Sequence, residues 1–451
     1  MSFLNIWKRY LRNMTHVRLI VSYYIFAVTV SVLLLSLPIA HKPGIDPSFI
    51  DTLFTAVSAV SVTGLTVVST ADTFSTQGIF ILAFVLQFGG IGVMTLGTFV
   101  WLIVGKKIGL KERSLIMLDQ NQLSLSGAVQ LIKQIIILIL LIEFIGGLVL
   151  GTYFLTYFET WQEAYLNGFF LSISATTNGG FDLTGASMIP YANDYFIQFI
   201  VILLIALGAI GFPVLIELKK FLASERGNYR FSLFAKLTTL TFLALIVLGT
   251  IFIAIFENNL FYKGKEWHEV FFYSLFQSAT TRSGGLATMD ISLLSDPTLL
   301  LLCALMFIGA SPSSVGGGIR TTTFALNLLF VYHFAKGNKT IKIFKREIHE
   351  DDIRKSVAVT ITAFLICFLS VLTLSITENF SLIEILFEVC SAFGTTGLSM
   401  GITPELSTIG KSLIISLMFI GRIGVFFLLL LIGSKEKEAN YHYPKERVII
   451  G

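Results

Sequence analysis

One short segment, opening on Ser-Ala and closing on Gly-Leu or Gly-Phe, occurs four times in this chain, each time among long apolar runs. The copies read SAVSVTGL (58–65), SATTNGGF (174–181), SATTRSGGL (278–286) and SAFGTTGL (391–398), the third with one extra residue. Their closing glycines, Gly64, Gly180, Gly285 and Gly397, are 116, 105 and 112 residues apart. A second glycine motif follows each copy: QFGGIG (87–92), ALGAIG (206–211), FIGASP (307–312) and FIGRIG (419–424). Gly89, Gly208, Gly309 and Gly421 lie 25, 28, 24 and 24 residues beyond the first glycines. Glycines scattered at random through apolar sequence would not keep that register. The chain is therefore four tandem copies of one unit.

The flanking runs say where the unit folds. Of the 451 residues 54% are hydrophobic and 13% charged, about half the charged share of a soluble domain. Runs at 17–40, 78–104, 131–156, 195–218, 233–256, 298–333, 355–377 and 410–433 reach the roughly 20 residues a helix needs to cross a bilayer. Between the members of each pair sit shorter apolar stretches, 50–61, 163–175, 268–281 and 382–394, better suited to half-membrane, re-entrant helices. The expected fold is an all-α membrane protein of eight transmembrane spans and four re-entrant pore loops. Each unit is span, pore helix and span, and the four are arranged pseudo-fourfold. The repeats are set at 1–113, 114–230, 231–353 and 354–434, with a tail at 435–451.

Charge gives the orientation. The loops 105–113, 219–230 and 336–355, the N-terminal KRYLRN and the tail carry most of the Lys and Arg, whereas only Lys42, Lys263, Lys265 and Lys411 fall in the opposite loops. Positive-inside then puts both termini in the cytoplasm. Cys303, Cys367 and Cys390 have no metal or disulfide spacing and read as small buried apolar residues. A net charge of +4 gives no sign of nucleic-acid binding.

Irregular backbone at membrane depth is tolerated only where protein buries it or where it lines an aqueous path. Four such segments meeting on an axis could turn main-chain carbonyls inward and replace an ion's hydration shell. Glycine serves this because successive carbonyls face one way only if some residues take positive φ. Oxygen ligands favour hard cations, and each pore helix points its negative C-terminal end at the axis. The ion-binding residues expected are Val62, Thr63 and Gly64; Asn178, Gly179 and Gly180; Ser283, Gly284 and Gly285; Thr395, Thr396 and Gly397. Asp51, Glu163, Glu269 and Glu384 stand near the starts of the short helices, where a carboxylate caps a helix and can also draw in cations. The second motifs read as close helix packing.

S-A-x-x-x-T-G-L in four copies, with F-I-G-R-I-G in the last, resembles the Trk/Ktr/HKT superfamily of potassium transporters. The KKIGLKER loop and compact tail are similar to the Ktr-type membrane subunit of bacteria. The resemblance implies potassium uptake through a single-chain pseudo-fourfold pore, often sodium-dependent. It implies a homodimer in the cell membrane that works with a cytoplasmic nucleotide-binding regulatory subunit, an octameric ring of the RCK type. The chain itself then carries no cofactor: potassium is the transported ion and sodium an activator. Glycine at all four filter positions goes with potassium selectivity in the family.

The resemblance also places a gate. The third unit's second span is broken by GASPSSVGGGIRTTT (309–323), where proline and three glycines cannot continue a stable helix. Gly309, Ala310, Ser311, Pro312, Ser313, Ser314, Gly316, Gly317 and Gly318 would form an intramembrane loop below the filter, with Arg422 as an ion barrier beside it. A simple kink is the plainer reading of the loop, and an ion pair with a buried acid such as Glu143 the plainer reading of Arg422. Arg282 could brace the filter by pairing with a pore-helix acid; Glu388 is of that kind. No nucleophile–base pair or His/Asp/Glu cluster points to an enzyme. The rival function is a sodium-coupled secondary transporter of an organic substrate, but such folds use inverted repeats, and here the four lie in parallel.

Overall fold

The computed structural model describes residues 16–92, 128–224, 229–432, 444, 446, 448 and 449. The basic loop 105–113, the last part of the 78–104 run, the N-terminal basic residues and nearly all of the tail lie outside these.

Element order follows the repeat. The first unit has α1 (His16–Leu35), α2 (Phe49–Ser61) and α3 (Thr76–Ile91). The second has α4 (Ala128–Phe154), α5 (Trp161–Thr176), α6 (Tyr195–Ala209) and α7 (Phe212–Ala223). The third has α8 (Leu233–Glu257), α9 (Trp267–Thr280), α10 (Asp296–Ile308) and α11 (Thr321–Ala335). The fourth has α12 (Glu350–Thr377), α13 (Leu382–Gly394), α14 (Thr408–Ile423) and α15 (Val425–Ile432). A small hairpin, Lys342–Ile343 with Arg346–Glu347, joins the third and fourth units.

The first spans α1, α4, α8 and α12 are long and apolar enough to cross a bilayer. Each exposes large apolar side chains along one face, among them Phe26, Phe144, Val247 and Phe364. That belt is stable only against lipid. The short helices α2, α5, α9 and α13 fall within two residues of the expected stretches and start alike. Ser48, Thr160, Glu266 and Ser381 are the N-caps, and Asp51, Glu163, Glu269 and Glu384 each stand three residues later. The side chains of Ser48, Thr160 and Ser381 accept the backbone N–H of that acid at 3.3–3.4 Å, a cap worth about 1 kcal/mol.

The second spans of the second and fourth units depart from the expected continuous helices. α6 and α7 meet at 104°, and α14 and α15 at 96°. The bends sit at Gly211 (φ 102°) and Gly424 (φ 97°), the last residues of their glycine motifs, and α3 likewise ends at Gly92 (φ 89°). An L side chain rarely adopts this backbone, so glycine lets the chain turn there. In the third unit the break comes three residues earlier in the motif, at Gly309 (φ 72°), and α10 and α11 are separated by a loop.

The larger apolar clusters fill the seams between units. One joins the first and second units around Val62, Leu86, Ile139 and Phe170. A second joins the second and third around Leu171, Ile205, Phe276 and Leu286. A third joins the third and fourth around Leu302, Met306, Phe387 and Leu398. The last joins the fourth back to the first through Phe54, Val57, Phe393 and Leu417. The Lys411–Asp51 ion pair, 2.8 Å long and largely shielded, ties the same seam. Four seams returning to their start close a ring, and the ring brings the glycine segments together.

Candidate functional site

Each short helix ends one or two residues after its Ser-Ala pair, whose carbonyls shape the exit. The alanine carbonyl accepts the N–H of the residue three further on: Val62, Asn178, Arg282 and Thr395, at 3.0–3.2 Å. In three units the serine carbonyl takes the next N–H, from Thr63, Gly179 and Thr396, at 2.6–2.8 Å. The Ser58 and Ser391 hydroxyls accept the N–H of Gly64 and Gly397 at 3.1 Å. The segment is thus hung from the end of its own helix.

The backbone then alternates. Val62, Asn178, Ser283 and Thr395 have φ of 55°, 54°, 79° and 46°, and two residues later Gly64, Gly180, Gly285 and Gly397 have 89°, 68°, 73° and 92°. Four non-glycine residues in the left-handed region are each a strained placement, of order 1 kcal/mol or more. Their recurrence at one register position marks a site. It also aligns the third unit. The extra residue is taken up before Ser283: Arg282 keeps the helix-capping bond, and Ser283 takes the left-handed turn that one residue combines with it elsewhere.

The four segments meet. A Cβ on Gly64 would stand 2.7 Å from the Gly179 carbonyl oxygen, and one on Gly180 would stand 3.0 Å from the Gly285 Cα. One on Gly285 would be 2.5 Å from the Thr396 oxygen, and one on Gly397 would strike the Thr63 oxygen. Each glycine therefore abuts the next unit's segment around the whole ring, and the carbonyls of Thr63, Gly179 and Thr396 turn toward neighbouring units. All twelve residues are buried except Gly397, which is half-buried. Four helix C-termini converge here, a field that favours a cation.

Below the left-handed residues lies the 309–320 loop, buried from Gly309 through Ile319. A Cβ on Gly316 would meet the Ser283 Cβ at 2.5 Å, and one on Gly317 the Thr395 Oγ1 at 2.6 Å. The loop is stitched to the bend of the second unit: Ser311 N–H to the Ala209 carbonyl (3.0 Å), Val315 N–H to Gly208 (3.2 Å), and Phe212 N–H to Ser313 (2.9 Å). From the fourth unit the Arg422 guanidinium donates to the carbonyls of Val315 and Gly89, so it touches the loop directly. Arg320, at φ 84°, donates to the Gly316 carbonyl within the loop.

Two pairings suggested by sequence, Arg282 with Glu388 and Arg422 with Glu143, take other forms. Arg282 is fully buried, and its guanidinium donates to the carbonyls of Leu305 (2.6 Å) and Gly309 (3.1 Å). It thus closes the C-terminal end of α10, where a cation complements the helix dipole. Glu388 accepts hydroxyls from Ser399 (3.0 Å) and Thr403 instead. Glu143 accepts from the Gln87 amide, and the Arg422 guanidinium donates to main-chain carbonyls. Main-chain acceptors are spread through any helical protein, so nothing in composition told Arg282 or Arg422 from an ion-pair partner.

The second motifs also split into two roles. A Cβ on Gly89 would stand 2.6 Å from the Val60 carbonyl oxygen, and one on Gly208 or Gly421 would overlap the Thr176 or Phe393 carbonyl. These glycines let the second span press on the end of the short helix, the packing expected. Gly92, Gly211 and Gly424 instead terminate or bend the span. A glycine after an apolar run carries both meanings, so sequence missed the bends.

Comparison with known proteins places these features. A family model described as TrkH, cation transport protein, matches residues 7–443. The Ktr system potassium uptake protein D of Bacillus subtilis (strain 168) is 69% identical over 96% of this chain and 97% of its own length. The Ktr system potassium uptake protein B of the same organism is 37% identical over 95% of each chain. The crystal structure of the potassium transporter TrkH from Vibrio parahaemolyticus superposes with a TM-score of 0.71, covering 91% of this chain and 84% of that one, at 20% identity.

Proposed function

The chain belongs to the TrkH family of cation transport proteins, and on that premise we propose that it dehydrates and passes potassium through the ring of four glycine segments. It is a membrane transporter of the Ktr/Trk type and a potassium uptake subunit, not an enzyme. Ions would be stripped of water at carbonyls of Val62–Gly64, Asn178–Gly180, Ser283–Gly285 and Thr395–Gly397. The observation that carries this is the fourfold left-handed pair at one register position, with each glycine abutting the next unit. No packing need of four separate helix ends explains why all four meet.

The 309–320 loop would act as the gate, since it fills the space beneath the filter, and Arg422 would hold it closed. The relatives' Ktr naming supports a partner subunit. In our reading this is a cytoplasmic nucleotide-binding ring, the membrane chain is a homodimer in a bacterial cell membrane with both termini cytoplasmic, and sodium stimulates uptake. The test is ion flux from purified protein in liposomes. Rubidium and potassium should pass and sodium much less, and Gly397→Ser should erase the difference. Equal passage of sodium through the wild type, or a Gly397→Ser protein as selective as the wild type, would remove the filter from the account.

A further inference from the structure

Glu388 is fully buried in α13, three residues before Ser391 and so on the same helix face. Ser391 holds the Gly397 N–H; Glu388 holds what comes next. One carboxylate oxygen accepts the Ser399 hydroxyl at 3.0 Å, and the other accepts the Thr403 hydroxyl. The two hydroxyls lie 3.0 Å apart, and the Ser399 hydroxyl also accepts the Gly401 N–H at 3.0 Å. One carboxylate thus pins the chain on the far side of Gly397 to the helix that carries the segment. The other three units have Thr55, Leu171 and Leu275 at the matching position, three residues before the motif serine. The Thr55 hydroxyl turns back to the Asp51 carbonyl, and two leucines cannot accept a hydrogen bond.

We propose that Glu388 is a positioning residue that sets the ion selectivity of the fourth segment by tethering its outer end through Ser399 and Thr403. This rests on the filter reading above. Carbonyls discriminate between ions of one charge only while their spacing is held, and Gly397 is the one filter residue only half-buried. A tether is therefore needed most in this unit. The role is geometric: an amide can replace the carboxylate, accepting one hydroxyl and donating to the other, whereas a methyl cannot.

The experiment measures the ratio of rubidium to sodium flux in liposomes for the full chain, with Gly397→Ser as reference. Glu388→Ala, which removes both hydroxyl bonds, should lower the ratio about tenfold or more, tenfold being the factor on the scale of a single buried hydrogen bond, with rubidium flux largely kept. Glu388→Gln should stay within about twofold of wild type. Ser399→Ala with Thr403→Val should match Glu388→Ala, and adding Glu388→Ala to that pair should change nothing more. This hydroxyl pair carries the test if the alanine variant does not fold. An unchanged ratio in Glu388→Ala, or a glutamine variant as poor as alanine, overturns the tether while a relaxed Gly397→Ser still upholds the filter. An unchanged Gly397→Ser overturns both.

Discussion

The four glycine segments, the proposed filter, and the 309–320 loop, the proposed gate, are both buried stretches of irregular backbone, and they are held in different ways. Each filter segment hangs from its own short helix, by N–H bonds to the Ser-Ala carbonyls a few residues back. The loop is also bonded within its own unit, Ala310 N–H to Gly317 and Arg320 N–H to Ile308, but it is docked by bonds from other units: from the bend at Ala209–Phe212 and from Arg422. Local anchors move with the segment and keep its shape. Remote anchors can be withdrawn by moving one unit against another. On the proposed reading this gives a rigid filter above a releasable loop, and each half of that contrast can be tested.

The largest effect is expected at the filter. Gly397→Ala adds a Cβ that strikes the Thr63 carbonyl at a φ of 92°; potassium flux should fall at least tenfold and discrimination against sodium should collapse. Gly401→Ala separates strain from convergence. Its φ is 95°, yet nothing lies within 4 Å of the added atom. It should cost only the left-handed penalty of about 1 kcal/mol, read as a drop in melting temperature with selectivity unchanged.

Next comes the loop. Arg422→Gln removes charge-assisted donors to Val315 and Gly89, each worth about 1.5–3 kcal/mol. Basal flux should rise roughly tenfold with the rubidium-to-sodium ratio intact, measured in liposomes without any regulatory subunit. If selectivity changed instead, the separation of filter from gate would fail.

Smaller effects test the frame that both share. Lys411→Met breaks the shielded pair with Asp51 that closes the ring and should destabilise the protein by about 1 kcal/mol. The exchanged pair, Asp51→Lys with Lys411→Asp, should recover part of that loss in thermal melts. The smallest concerns Asp194, the N-cap of α6. Burial pushes its carboxyl up, but the Tyr157 hydroxyl, the Ile197 amide, the Tyr153 hydroxyl and the Phe196 amide outweigh this and hold it below its ordinary value. The stability it contributes is therefore present above the usual carboxylate range and lost as pH falls through the folded value. Asp194→Asn should flatten the acid side of the melting-temperature profile slightly, leaving both filter and loop as they were.

Much of this was legible beforehand. The short helices lie where polar caps precede apolar stretches, because a helix start needs acceptors for its free N–H groups. The four glycine segments stand out because glycine alone gives backbone freedom at no steric cost, and its register recurs four times. The bends at Gly211 and Gly424 were not legible, since the same residue type also serves close packing. Nor were the partners of Arg282, Glu388 and Arg422: other units supply those of Arg422, the main-chain carbonyls that Arg282 takes leave no trace in side-chain pattern, and nothing in composition singles out the hydroxyls of Ser399 and Thr403 that Glu388 takes.

The sequence by itself determined the periodic part: apolar runs of membrane length, four units, and glycines at fixed intervals. Those properties depend on local chemistry and spacing, which are written along the chain. Tertiary structure alone decided which unit meets which, where a buried cation finds its acceptors, and that the loop of the third unit rests on the second and is gripped by the fourth. These depend on how the ring closes, and closure joins residues such as Asp51 and Lys411 that stand 360 positions apart.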